Sequence, residues 1–248
     1  MANLIWRCLI AGVGVCAILW AIDVIPSYRT DAPLTDTAQR IISGDKFNAG
    51  QLSAMKRQMD AVPAKPLQAS SLRSVSVIHL LLLENELRAG NRQPSGADLV
   101  EIRTVVDAAL AQSPTNSFMW LADLWLKRLR GETANGGLDL LRMSYWSGPN
   151  EAWIAVRRNP LALGIFASLP NELREHALSE FVGLVRSGLY ADASNFLAGP
   201  GWTIREQLLG RLVQVDEVDR RRFAKALASK DLDGVTVPGL DERPSRPF

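Results

Sequence analysis

Apolar positions along this chain fall into two patterns. Near the start there is one continuous run, and from about residue 35 onward apolar residues recur three and four apart, the period of a buried helix face. Alternation with a period of two, which marks a half-buried strand, does not appear. The pattern therefore predicts an all-α chain.

The continuous run reads CLIAGVGVCAILWAI from Cys8 to Ile22, and it reaches Leu4 and Ile25 when Arg7 and Asp23 are taken as flanks. At about 1.5 Å per residue such a run crosses a hydrocarbon core of about 30 Å. The expectation is a single transmembrane helix, with residues 4–25 in the bilayer and Trp6 and Trp20 at its two surfaces. A cleaved signal peptide competes with this reading, but no A-x-A site follows the run, and Val15 before Cys16 spoils a lipoprotein box. Arg7 and the terminal amine precede the run, whereas Asp23, Arg29 and Asp31 nearly cancel after it. That balance predicts a cytoplasmic N-terminus and a periplasmic bulk, at a bacterial inner membrane. Cys8, Gly12 and Cys16 recur every four residues, a transmembrane packing face through which an oligomer would form. The plainer reading is that small residues are common in such helices.

Turn residues divide the rest of the chain. The organisation predicted is an anchor over 1–25, a proline-flanked connector over 26–34, N-terminal helices over 35–66, a repeat-like helical domain over 67–199, capping helices over 200–230 and an extended or disordered tail over 231–248. A helix from Leu67 to Ala89 has an apolar surface too wide for an exposed element, so it should be central. Another runs from Asp98 to Ala111 with Leu99, Ile102, Val106 and Leu110 at helical spacing. Beyond it, two landmarks repeat. Pro114 and Pro149 lie 35 residues apart, and Trp120-Leu121-Ala122 and Trp153-Ile154-Ala155 lie 33 apart, a period in the range of paired-helix repeats. Gly188-Leu189-Tyr190-Ala191-Asp192-Ala193 adds a third signature, with a glycine for a tight turn and an aromatic and an alanine where two helices approach.

These residues resemble the tetratricopeptide repeat family, in which a first-helix aromatic, a G-x-Y-x-x-A turn and a closing proline mark each helix pair. The resemblance covers about residues 70 to 200, and it departs from the pattern at Leu124, where a small residue belongs. It implies an α-solenoid of antiparallel helix pairs offering an extended concave surface. GPNEAWIAVRRNP and GPGWTIREQLL are similar to stretches of a bacterial membrane-anchored family associated with exopolysaccharide and envelope genes, which implies an envelope setting.

The chain has 248 residues, is 47% hydrophobic and carries a net charge of +2 with acids and bases well mixed. That suffices for a packed core and lacks the basic footprint of a nucleic-acid binder. Both cysteines lie in the apolar run, so the remainder has no disulfide framework, cysteine nucleophile or Cys-based metal site. His79 and His176 have no second ligand at metal spacing, and no nucleophile elbow, P-loop or H-E-x-x-H helix occurs. No cofactor is expected. Paired carboxylates for glycan hydrolysis would have to be assembled across helices, from Glu84, Glu86, Asp123 and Glu151.

Among the aromatics, Trp146 beside Ser147-Gly148-Pro149 is placed at a helix end. With Trp153, Arg157 and Arg158 it forms a candidate groove for a partner or ligand. Arg128 and Arg130, and separately Arg220, Arg221 and Arg222, extend the basic surface, for which an acidic polysaccharide is the sharper reading and a solvated helix face the plainer one. The function these features predict is a membrane-anchored scaffold or adaptor binding protein partners in envelope or exopolysaccharide assembly. The alternatives are a polysaccharide- or peptidoglycan-active enzyme and a structural subunit of an inner-membrane complex.

Overall fold

Apolar residues one helical turn apart decide which face of each element is buried. The computed structural model describes residues 2–60, 69–90, 95–132, 137–230, 232 and 234–240, and leaves the side chains of residues 2–5, 8, 9, 23–31 and 69 undescribed. Every regular element is helical, and no strand occurs among the described residues. The chain divides into two compact units, Met1–Gln112 and Ser113–Phe248.

The first unit is built from α1 (Ala2–Ile42), α2 (Ala49–Asp60), α3 (Ala69–Ala89) and α4 (Gly96–Gln112). α3 packs against the other three, and its Leu72, Val75, Val77, Ile78, Leu80 and Leu83 are buried on more than one side. That is the central position its broad apolar surface implies. Leu34, Ala38 and Ile41 of α1, Met55 and Met59 of α2, and Leu99, Ile102, Val106 and Ala109 of α4 complete this core. Two helix starts are fixed by reciprocal caps. Asn48 and Gln51 exchange backbone-to-side-chain hydrogen bonds of 2.9 Å, and Ser95 and Asp98 do the same at 2.8 and 3.2 Å.

The membrane anchor requires correction. Among the described residues no helix is long and apolar enough to cross a membrane, so a single-pass inner-membrane protein is not supported. The helix also does not end where a span would. It passes through residues 26–34, where a connector is expected from the sequence, and stops at Ile42. Gly12 meets nothing within 4 Å and Cys16 is exposed, while the side chain of Cys8 lies outside those described.

The second unit follows the paired pattern. It contains α5 (Ser117–Leu129), α6 (Gly137–Ser147), α7 (Ala152–Gly164), α8 (Asn171–Arg186), α9 (Tyr190–Ala198), α10 (Arg205–Arg211) and α11 (Glu217–Ala228). α5 and α7 begin at the same interval that separates Pro114 from Pro149. α5 packs on α6 and α7 on α8, while α5 touches α7, α6 touches α8 and α7 touches α9. Equivalent helices of successive pairs therefore stack, which makes the unit repeat-like. Asn116 caps α5 by accepting from the Met119 amide. Gly188 turns the chain from α8 to α9 at φ +77°, a conformation that favours glycine. Behind it Ala193 is fully buried and the Tyr190 hydroxyl donates to Asp219 of α11 at 2.7 Å.

Part of the segment expected to be an extended tail is packed. Val237 is buried, and Arg220 holds the carbonyls of Val215 and Pro238 at 2.9 and 2.6 Å. Residues 241–248 lie outside those described.

Candidate functional site

The apolar stripe of α7 runs through Ile154 and Ala162, both buried, and midway between them, one turn from each, stands Arg158. The stripe carries this arginine into the interior, where its side chain is 0% exposed. A buried guanidinium is tolerated only when its donors are satisfied and its charge is met. Both conditions hold. Nε and Nη2 donate to Glu180 Oε1 at 2.9 and 2.7 Å, and Nη2 also reaches the Gly148 carbonyl at 3.1 Å. Nη1 donates to the Ser144 carbonyl at 2.6 Å and to the hydroxyls of Ser144 and Ser117 at 3.1 and 3.3 Å. Arg158 thus joins the start of α5, the end of α6 and the middle of α8 to its own helix.

Glu180, whose side chain is 5% exposed, completes the network. Its Oε2 accepts from the Tyr145 hydroxyl at 3.0 Å and, more weakly, from the Asn159 amide at 3.4 Å. Tyr145 lies between two cation-capable groups, with the Arg158 guanidinium 4.1 Å from its ring centroid and the His176 ring stacked at 5.0 Å. Burial pushes the Glu180 carboxyl above its ordinary range, and the Arg158 charge and the hydrogen bonds it accepts oppose that shift. Burial likewise raises the Tyr145 phenol well above its usual value. The Glu180 charge adds to this and Arg158 opposes it.

The raised phenol gives a direct observable. In an ultraviolet titration of the native protein the Tyr145 phenol should ionise above the ordinary phenol range, and Tyr145→Phe should remove that late step. A native pKa above the unfolded one means that the stabilisation is complete below the ordinary phenol value and is lost as pH rises through the raised one. A Tyr145→Phe protein that still shows the late step, or a native protein without one, would contradict this environment.

Beside the network is an open cleft of about 340 Å³ lined by Tyr145, His176 and Glu180 together with Pro149, Asn150, Ala152, Ala155, Ser179, Gly183, Leu184 and Ser187. Gly183 sits within α8, and a Cβ added there would meet nothing within 4 Å. Glycine inside a helix is less favourable than alanine by about 1 kcal/mol. No contact inside this chain explains the residue.

Of the four groove residues expected from the sequence, Trp153 and Arg157 lie together, Trp146 is exposed and Arg158 is buried. Trp146 is 72% exposed at the end of α6. Trp153 packs tilted against Phe118, with ring centroids 4.7 Å apart, and donates to Glu151 at 3.0 Å. Arg157 lies 6.0 Å from the Trp153 ring centroid and donates to its carbonyl at 3.0 Å. Arg158, expected on a basic face, is the buried hub, so that face is corrected: the apolar register of α7 turns the residue inward. The other arginines are committed locally, Arg128 to the Leu161 carbonyl at 3.4 Å, Arg130 to Glu132 at 2.9 Å and Arg221 to Glu217.

The carboxylates considered for hydrolysis are also engaged separately. Glu84 pairs with Arg88 at 2.6 Å, Glu86 with Lys56 at 3.4 Å and Asp123 with Lys127 at 3.8 Å. His79 is held in the first unit, where burial lowers its pKa against the charges of Glu101 and Asp60. No group of three or more metal-capable side chains occurs among the described residues.

Glu180, Asn159, Ser117, Ser144 and Gly148 were not singled out by the sequence. The available signal was an arginine and an asparagine in consecutive positions on an apolar helix, a pattern that demands a buried partner without saying which residue supplies it. Comparison with models of known families, with curated proteins and with solved structures finds no match for this chain.

Proposed function

We propose that this chain is a helical-repeat scaffold that holds a segment of a partner protein in the cleft at Glu180. The observation that carries the reading is an open cleft lined by Tyr145, His176, Glu180 and Gly183, in which Tyr145 and Glu180 are held by the Arg158 network. A recess backed by a hydrogen-bonded network suits binding better than chemistry. Glu180 is the one carboxylate lining it, whereas glycoside hydrolysis uses two. The stacking of equivalent helices in successive pairs supports a role in holding other proteins. The similarity of residues 148–160 and 199–209 to an envelope-associated family supports a partner in envelope or exopolysaccharide assembly.

The test is site-specific photocrosslinking in cells. A photoreactive residue at Ser179, exposed in the cleft lining, should give a discrete protein adduct. The same residue at Val218, exposed on α11 and absent from the cleft lining, should not. Equal labelling from both positions, or none from Ser179, would overturn the reading.

A further inference from the structure

The packing of the first unit leaves two polar side chains of α3 without partners. Ser76 and His79 stand one turn apart on that helix, among Val75, Val77, Ile78 and Leu80, all buried. Ser76 is fully buried, and among the described residues neither its hydroxyl nor His79 Nδ1, which is shut off from solvent, has a hydrogen-bond partner. A neutral imidazole in that setting forgoes one acceptor bond. An imidazolium carries a proton on both ring nitrogens, so it would place a charged donor at Nδ1 where no acceptor waits, a much larger penalty.

The charges on the elements packed around α3 do not relieve this. α2 supplies Asp60 and α4 supplies Glu101, whose fields favour the cation without outweighing burial, and neither bonds Nδ1. The remaining charges are committed or exposed. On α2, Lys56 pairs with Glu86 of α3 and Arg57 is exposed. On α4, Arg103 pairs with Asp107, and Asp98 accepts from the Ser95 amide. On α1, Arg40 pairs with Asp45 and Asp36 is exposed. On α3 itself Glu84 and Arg88 pair with each other, and Arg73 lies nearly two turns from His79.

We propose that His79 is an acid-sensitive latch of the first unit: uptake of one proton there loosens α3 from α2 and α4. The latch is independent of the cleft and of the scaffold reading. In the unfolded chain a histidine takes its proton near pH 6.5, and in the folded unit only at lower pH. The unit therefore keeps its full stability above 6.5 and loses part of it as pH falls from there through the folded value. Surface carboxylates stay ionised down to about pH 5, so they do not share the transition.

The experiment is hydrogen exchange on the full chain between about pH 7.5 and about pH 5, with protection taken relative to the intrinsic rate at each pH. Amides of Val75, Ile78 and Leu80 in α3 should lose protection severalfold toward the acid end, while those of Leu197 in α9 and Phe223 in α11 keep theirs. His79→Leu removes the titrating group and should leave α3 protection flat. Glu101→Gln, at an exposed position, removes a charge that favours the cation and should deepen the loss; it decides the matter where His79→Leu does not fold. A flat wild-type profile, equal loss in both units, a loss that survives His79→Leu, or a Glu101→Gln chain that loses no more than the wild type would overturn the proposal.

Discussion

Replacing Arg158 by methionine is expected to destabilise the second unit by about 3–5 kcal/mol, the loss incurred when one partner of a buried ion pair is removed and the other stays behind. Glu180 would keep its buried position without its cation, and the hydroxyls and carbonyls of Ser117, Ser144 and Gly148 would lose their donor. Urea denaturation reads this as a lower midpoint at unchanged slope. The companion variant distinguishes net attraction from stranded charge. Arg158→Met with Glu180→Leu removes both charges and should recover most of the loss, because apolar residues of similar volume often replace a buried pair without penalty. If the single variant loses less than about 1 kcal/mol, the guanidinium is not the hub of this unit.

The second large effect is expected at Gly148. A Cβ there would lie 2.5 Å from Ser117 Cβ and 2.7 Å from Glu151 Oε1. The glutamate can swing away, but Ser117 Cβ is fixed to the first turn of α5, so α5 and α6 must separate. Overpacking of this kind destabilises by about 1–3 kcal/mol. Here the displacement also draws the Gly148 carbonyl and Ser117 hydroxyl away from Arg158, placing Gly148→Ala at the upper end or beyond. Thermal unfolding should show it, and Ser117→Gly in the same chain should restore part of the melting temperature by removing the opposing carbon. A Gly148→Ala protein that melts like the wild type would mean the two helix ends are not in contact.

The all-helical class was legible because helix periodicity is local: Leu99, Ile102 and Val106 of the expected stripe are buried within a single element, with Ala109 rather than Leu110 completing the face. The pairing of helices was legible in outline from Trp120 and Trp153. The site was not, because its parts are distant in sequence. Arg158 bonds a hydroxyl 41 residues before it and a carboxylate 22 residues after it, and periodicity contains no information about such pairings. Arg157 and Arg158 look alike in the sequence, yet a rotation of one residue along α7 sends the first to the Trp153 ring and the second into the core. The anchor misled for a related reason. Hydropathy was read over residues 4–25 as a separate element, whereas α1 continues to Ile42 and has its last turns, at Leu34, Ala38 and Ile41, buried in the first unit.

Stacked repeats have a general difficulty, which is that similar pairs can exchange places. Here the polar network labels one junction. Ser117 opens α5, and the residue opening the equivalent helix of the next pair is Ala152. A guanidinium displaced by one pair would face a methyl group where it now finds a hydroxyl, and its charge would be left unmet. The Arg158 cluster therefore gives the pairs an order, so that a misassembled stack, a swapped copy or a duplicated pair would be recognisably worse than the native arrangement even with every apolar contact intact.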